Sequence, residues 1–390
     1  MHKNNIFIIL YICIYIYINT LFLPHGLLYT SFLSPILFYW LAYKKNEKKI
    51  IRHFFIIIIP FLLIHVIYVV NELFFIQTFI SLLTVVITAI AVVVAIRDMT
   101  NKYAFIDALI VINFILSIIA ISFIDKEIMG KQLWTKGGYG IIPRLQMLTY
   151  EPSYYATIFS PFLLYSIIRC FDLLSLKNII FLCFSAIPIF MTLSMGVISC
   201  VAISLLVTII YYRKKIINSS NAILKISPFA LIALVFIFIS NPISKRADSV
   251  YIGEDTSGNN RIFESSVVAY SVAKETSVLF GAGIGQDKIY IPKYMNEFWK
   301  DMDINRLTNS VAGTLSTFGL VGLIIRFYLE ISLFIKTGVN KSIYRFMVFI
   351  FIFIYQFTGS YLTNVAEYVL WGFAYMNIFA KEYSDDVRYI

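Results

Sequence analysis

Apolar runs long enough to cross a bilayer fill most of this chain. In a hydrocarbon core, backbone of that kind must satisfy its own hydrogen bonds within each segment. The runs lie at 6–23, 27–43, 54–70, 75–96, 105–123, 153–169, 178–194, 196–212, 226–240, 308–335, 343–360 and 364–380. A spanning helix takes about 20 residues, so the expectation is an all-α, polytopic integral membrane protein of about 12 transmembrane helices, with residues 1–390 forming one membrane domain. Composition agrees. Hydrophobic residues make up 59% and charged residues 14%, with mean hydropathy +0.81, where a soluble domain averages about 25% charged. The first run follows Lys3 like a signal peptide, but Thr20-Leu21-Phe22-Leu23-Pro24-His25 offers no small-residue cleavage site, so it reads as a retained helix.

Two segments break the pattern. Residues 241–307 form a polar island of 67 residues with 17 of the chain's 54 charged side chains, far more polar chain than a connector needs. Residues 124–152 form a second long loop. Basic residues fill alternate short loops: Lys44, Lys45, Lys48, Lys49 and Arg52; then Arg97 and Lys102; Arg169 and Lys177; Arg213, Lys214, Lys215 and Lys225; and Lys336, Lys341 and Arg345. The positive-inside rule sends these to the cytoplasm, together with both termini, and places both long loops outside. Twenty of the 32 basic residues then lie on the cytoplasmic side, so the net charge of +10 follows from topology and nucleic acid is not an expected partner.

Cys13, Cys170, Cys183 and Cys200 lie in or beside apolar runs, and His2, His25, His53 and His65 are scattered. Neither set has the spacing of a disulfide framework or a metal site, so no metal or cofactor is expected. No internal repeat is evident, and the long loops follow the fifth and ninth runs, which counts against two equivalent transporter halves.

Within the island, Phe263, Val267 and Tyr270 recur at helical spacing after Asn259-Asn260, which predicts an Asn-capped amphipathic helix near 261–280 lying on the membrane surface. Arg261 falls in its first turn. A cation there either completes an anion site with the free N–H groups or pairs with Glu254 or Asp255. Gly281, Gly283 and Gly285 follow a helix rather than a strand and lack a phosphate-loop lysine, so they read as a helix end and turn. In the other loop, Glu151 precedes Pro152 seven residues after Arg144. It is either a desolvated general base at the mouth of the sixth span or a helix-start residue. Arg326 and Glu330, four apart, form an ion pair in the tenth span or snorkel towards the cytoplasm. Asn364 and Glu367 open the last span.

These features, in this order, resemble the O-antigen polymerase and O-antigen ligase superfamily. The resemblance rests on Arg144 through Tyr150-Glu151-Pro152-Ser153; Ser257-Gly258 to Arg261; Phe280-Gly281-Ala282-Gly283; and Asn309 through Phe318-Gly319-Leu320-Val321-Gly322-Leu323. It spans about Arg144 to Leu323 and includes the large outer loop between the ninth and tenth spans. It implies a fold like the GT-C glycosyltransferases. It also implies inverting, metal-independent transfer of glycan from an undecaprenyl-pyrophosphate-linked oligosaccharide to a sugar hydroxyl, on the outer face of a bacterial inner membrane. A chain-length regulator and a flippase of the same pathway are the implied protein partners. In that reading Glu151 and Arg261 are catalytic, as base and diphosphate ligand, and Arg144, Arg306 and Asn309 bind substrate. Ligases commonly carry a histidine before the position of Asn309; Thr308 stands here, which favours the polymerase branch. The competing expectations are an O-antigen ligase, a lipid-linked oligosaccharide flippase and a membrane acyltransferase, the last needing His25 or His65.

Overall fold

The computed structural model describes residues 2–20, 23, 28–42, 48–124, 126–128, 131–136, 143–213, 263–295 and 307–379. Their helices are α1 (His2–Cys13), α2 (Tyr29–Leu37), α3 (Lys48–Val66), α4 (Glu72–Arg97), α5 (Lys102–Ile121), α6 (Pro152–Asp172), α7 (Leu176–Met191), α8 (Met195–Tyr211), α9 (Ser265–Glu275), α10 (Asp287–Met295), α11 (Ser310–Lys336), α12 (Ile343–Tyr355) and α13 (Val365–Tyr375). Four stretches, Lys49–Val66, Glu72–Arg97, Lys102–Ile121 and Ser310–Lys336, are long and apolar enough to cross a membrane. The run at 226–240 lies outside the described residues, as do 241–262 and 296–306 of the polar island.

Helix α6 is the central post. Every residue of it except Arg169 and Asp172 is buried, and a helix enclosed on all sides must be core. Its small hydroxyl side chains fit there because they bond back to their own helix: Thr157 to the Ser153 carbonyl at 2.7 Å, Ser160 to that of Thr157 at 2.8 Å and Ser166 to that of Phe162 at 3.0 Å. Around it pack α1, α4, α5, α7, α8, α12 and α13 in one apolar cluster.

The loop between α5 and α6 holds two short antiparallel pairs that the all-helical reading did not expect. Glu127–Ile128 pairs with Lys131–Gln132, and Trp134–Lys136 pairs with Pro143–Leu145. The second is pinned down by Trp134, whose indole N–H donates to the Ala120 carbonyl at 2.6 Å in the last turn of α5.

Helix α11 is not the single straight crossing that its run of apolar residues suggests. Gly319 has φ 66° and ψ −164°, a conformation open essentially only to glycine. The chain reverses there, into a half running 310–318 and a half running 320–336. Arg326 therefore bonds Ser310, although 16 residues of straight helix would separate them by about 24 Å.

A second reversal clasps the first. Gly281 has φ 73°, and the segments around the two glycines run antiparallel. Ala282 and Gly283 donate N–H to the carbonyls of Ser316 (2.8 Å) and Thr317 (3.0 Å), while Leu320 and Val321 donate to those of Val278 (3.0 Å) and Leu279 (3.1 Å). Each glycine sits on the other strand's backbone: a Cβ at Gly319 would lie 2.4 Å from the Leu279 carbonyl, and one at Gly281 would lie 2.6 Å from that of Thr317. The clasp explains why the helix expected near 261–280 ends at Glu275, since the following backbone is committed to α11. The surroundings hold it too. His65 receives the Ile284 N–H on Nδ1 (3.2 Å) and contacts the Phe280 carbonyl through Nε2 (2.9 Å), which fixes the neutral tautomer with the proton on Nε2. Gln286 accepts from the N–H groups of Val70 (3.0 Å) and Asn71 (2.8 Å). The middle of the polar island is thus built into the bundle.

Burial divides the faces of α9. Val268, Ala269, Val272 and Ala273 are buried, and Phe263, Val267 and Tyr270 stand exposed. Small side chains let α9 approach α10 and α11 closely; the larger apolar stripe is left outward.

Replacing Gly319 by alanine should cost about 3 kcal/mol or more, from the forbidden backbone region and the blocked Leu279 carbonyl, whereas Gly338→Ala, at φ 63° and ψ 48°, should cost only about 1 kcal/mol. Thermal denaturation in detergent measures both, and equal losses would contradict the clasp. A second test uses Asp287, which accepts from the Thr317 hydroxyl at 3.1 Å. Burial pushes its carboxyl above the usual carboxylate range, against the hydrogen bonds of Thr317 and Ser316 and the charge of Lys288. A raised folded pKa means stability that is complete below the unfolded pKa and declines as pH rises through the folded one. Melting temperature should therefore fall between pH 4 and neutrality in the parent protein relative to Asp287→Asn; parallel curves would refute this.

Candidate functional site

Helices α12 and α13, of 13 and 11 residues, rise only about 20 and 16 Å. Neither reaches across a bilayer, so the loop joining them, 356–364, stops inside the bundle. Non-helical backbone at such depth persists only where protein encloses it, and Gln356, Ser360 and Asn364 are buried. Asn364 starts α13 by accepting the Ala366 N–H (3.0 Å), and Asn309 starts α11 by accepting that of Ala312 (3.0 Å), as asparagine caps do.

Arg326 fills the space between these helix starts. Its Nε donates to Glu330 at 3.0 Å and Gln356 at 3.1 Å; Nη1 to the Ser310 carbonyl at 3.1 Å and the Thr314 hydroxyl at 2.8 Å; and Nη2 to the Ser310 hydroxyl at 3.0 Å, Gln356 at 2.7 Å and Glu367 at 2.5 Å. The second carboxylate oxygens are occupied as well. Gln356 Nε2 donates to Glu330 at 3.1 Å, and the Ser360 hydroxyl donates to Glu367. All four carboxyl oxygens are hydrogen-bonded, and the cluster sets two carboxyl groups against one guanidinium. Arg326 does not snorkel, and the two ambiguous features of the sequence, Arg326 with Glu330 and Asn364 with Glu367, are one network.

The residues singled out from the sequence reach this loop by different routes. Glu151 is the N-cap of α6, with Pro152 after it, but its side chain does not cap the helix; it accepts instead from the Ser153 hydroxyl. Its neighbour Tyr150 meets Tyr361 with hydroxyls 2.6 Å apart. Burial, and then the proximity of Tyr361 and Glu151, push the Tyr150 hydroxyl well above the usual phenol range, so it keeps its proton at neutral pH. Asn309 donates through Nδ2 to the Phe357 carbonyl at 2.9 Å. Arg144 lies on the fourth strand, and its Nε donates at 3.0 Å to the Thr192 carbonyl at the end of α7, where the helix dipole favours a cation. The α7–α8 turn then reaches the loop through Gly196, which packs against Thr358 and Tyr355. Asn309 and Tyr150, the neighbour of Glu151, are thus brought to one loop, Arg144 bonds the Thr192 carbonyl beside it, and Arg261 and Arg306 lie outside the described residues.

Sequence reasoning missed the hub itself, drawing the eleventh span through residue 360. The signal was present: Gln356, Thr358, Gly359 and Ser360 break the apolar run within five residues. Among the described residues, no group of three or more His, Cys, Asp or Glu side chains could hold a metal ion.

The ends of the bundle are sorted. The hub end gathers the α3–α4 turn, the loop before α6, the α7–α8 turn and residues 280–288. The other end is tied by Arg169 with Asp107 (2.5 Å), Lys102 with the Ile378 carbonyl (2.5 Å), Tyr212 with the Asn340 carbonyl (2.6 Å), and Arg345 with the carbonyls of Thr337, Ala374 and Tyr375 (each 2.9 Å). The described basic residues Lys102, Arg169 and Arg345 thus share one end.

No protein-family model and no curated protein matches this chain.

Removing the cation while leaving both carboxylates should be severe. Arg326→Met is expected to lose about 3–5 kcal/mol, whereas Glu330→Gln, which replaces one of the two carboxyl groups and keeps an acceptor for Arg326, should change stability by less than about 1 kcal/mol. Detergent melting curves decide this, and a well-folded Arg326→Met would sink the charge assignment.

Proposed function

We propose that this protein is a surface-polysaccharide polymerase of the O-antigen type, working at the hub end of the bundle on the outer face of a bacterial inner membrane. It transfers glycan from an undecaprenyl-pyrophosphate donor to a sugar hydroxyl of a second lipid-linked unit. The observation that carries this reading is the convergence of Asn309 and of Tyr150, the residue before Glu151, on the non-helical loop 356–364. Phenols and a carboxylate suit a neutral polyhydroxylated ligand. The basic residues at the other end support the orientation, with both termini cytoplasmic.

In the proposed step the acceptor oxygen bonds the donor's anomeric carbon and its proton passes to Glu151. The bond to the diphosphate breaks, and the polyprenyl diphosphate leaves as an anion. General-base help is worth about 10²–10⁴-fold in such a step. The leaving group needs cations. Arg326 is committed to Glu330 and Glu367, so Arg144, whose Nε bonds Thr192, and Arg261 and Arg306 are the proposed ligands of that charge.

One observation favours a second reading. A helix broken at Gly319 beside a buried charge network is also how many transporters bind cargo, which keeps a lipid-linked oligosaccharide flippase in view. His65, with both ring nitrogens hydrogen-bonded, is poorly suited to an acyltransferase.

Reconstitution with a synthetic polyprenyl-diphosphate repeat unit separates the readings. A ladder of longer glycans is expected, slowed about 100-fold or more in Glu151→Gln and Arg261→Ala with insertion unchanged. Movement of the lipid across the bilayer without any ladder is the outcome that rejects the polymerase.

A further inference from the structure

One imidazole ties the clasp to α3 with two hydrogen bonds, and it makes both in a single protonation state. His65 stands in the last turn of α3 and is 1% exposed. Its Nδ1 accepts the Ile284 N–H at 3.2 Å and its Nε2–H donates to the Phe280 carbonyl at 2.9 Å, so the ring bridges the turn 280–284. That turn is held from its other side. Gly281 and Gly283 both have positive φ, and the Ala282 and Gly283 N–H groups are bonded to the carbonyls of α11. The same turn leads to Gln286, which binds Val70 and Asn71, and to Lys288, which binds Thr78 on α4.

A second proton changes what Nδ1 can do. Imidazolium has two donors and no acceptor, so Nδ1–H would point at the Ile284 N–H. The surroundings offer that proton no substitute partner. The ring is faced by Phe61 of α3 and Phe318 of α11, with ring centres 5.7 and 5.8 Å away, and by Gly283 and Gln286 of the turn. Asp287 and Lys288, the next residues along, are directed to Ser316 and Thr317 and to Thr78. Tyr68, beyond the end of α3, and Glu72, at the start of α4, stand exposed. An imidazolium held in this place would be a charge among apolar side chains with no carboxylate bonded to it, which is costly.

We propose that His65 is an acid-sensitive latch: its neutral ring holds the turn 280–286 on α3, and uptake of one proton releases the turn and loosens the polar island from the α3–α4 end of the bundle. The latch holds whichever substrate the hub end takes. Histidine is the side chain whose ordinary titration falls in the range where such a switch operates. The sign follows from counting protons. The closed latch excludes a proton from Nδ1 and the released ring accepts one, so opening should grow about 10-fold per pH unit below about 6.5, the ordinary range of a free imidazole, and closure should be complete above it. Asp287 works in the opposite direction, its contribution declining as pH rises, so the direction of the effect identifies the group.

Hydrogen–deuterium exchange of the full chain in nanodiscs, expressed as protection factors so that the intrinsic pH dependence of exchange cancels, tests the latch. From pH 7.5 to pH 5.0 the peptide covering Ala282 to Ile284 should lose about 10-fold or more in protection, with α6 unchanged. His65→Asn, which keeps an acceptor near the Nδ1 position and does not titrate, should show equal protection at both pH values. Constant protection of this peptide in the parent overturns the latch, whether or not the variant folds. So does an equal loss in α6, which would be global acid unfolding, and so does a loss that persists in His65→Asn, which would assign the release to another group.

Discussion

Everything at the hub end depends on keeping one guanidinium charged away from water. Burying an ion costs several kcal/mol unless geometry and hydrogen bonds compensate, and Arg326 is compensated only when three pieces of chain are in place together. The first half of α11 supplies Ser310 and Thr314, the interior loop supplies Gln356, and α13 supplies Glu367. Each piece is unusual on its own. A reversed helix, a loop stranded in mid-bundle and a carboxylate at 1% exposure are all unfavourable in isolation, and the network makes them mutually necessary. Asn309 and Asn364, the caps that begin the two helices, hold their positions as part of the same arrangement.

The reversal itself rests on a second device. Phe280-Gly281 and Phe318-Gly319 are short echoes of each other in sequence, and in the fold each glycine makes room for the other strand's carbonyls. This brings the middle of a polar segment into contact with α3 and α4 through His65, Gln286 and Lys288, the last donating to Thr78 at 2.9 Å. The charged residues of the island therefore include structural ones, and high charge density there is not by itself a sign of chemistry.

How far the sequence carried the interpretation follows from what is local. Apolar run length and the i, i+4 spacing of Arg326 and Glu330 are local, and both were readable. Glu367 lies 41 positions beyond Arg326, and nothing local says that the two meet. Gly319 inside an apolar run looks like an ordinary glycine of a spanning helix, since its φ depends on the partner strand 38 residues earlier. Periodicity found the stripe of Phe263, Val267 and Tyr270 but not the face of α9 that meets protein; close packing at the clasp selects the smaller side chains, Val268, Ala269, Val272 and Ala273. At Glu151 the helix-start reading held in part, for the residue precedes α6 although its side chain does not cap it.

Charge balance then divides the work of the proposed reaction. The Arg326 network sets two carboxyl groups against one guanidinium, while at the same end Asp287 is offset by the charge of Lys288 and Arg144 stands on the Thr192 carbonyl. On the proposed reading the acceptor hydroxyl gives its proton to Glu151 and the anionic leaving group is met by arginines, Arg144, Arg261 and Arg306 being the candidates, with the bond to be broken between the two.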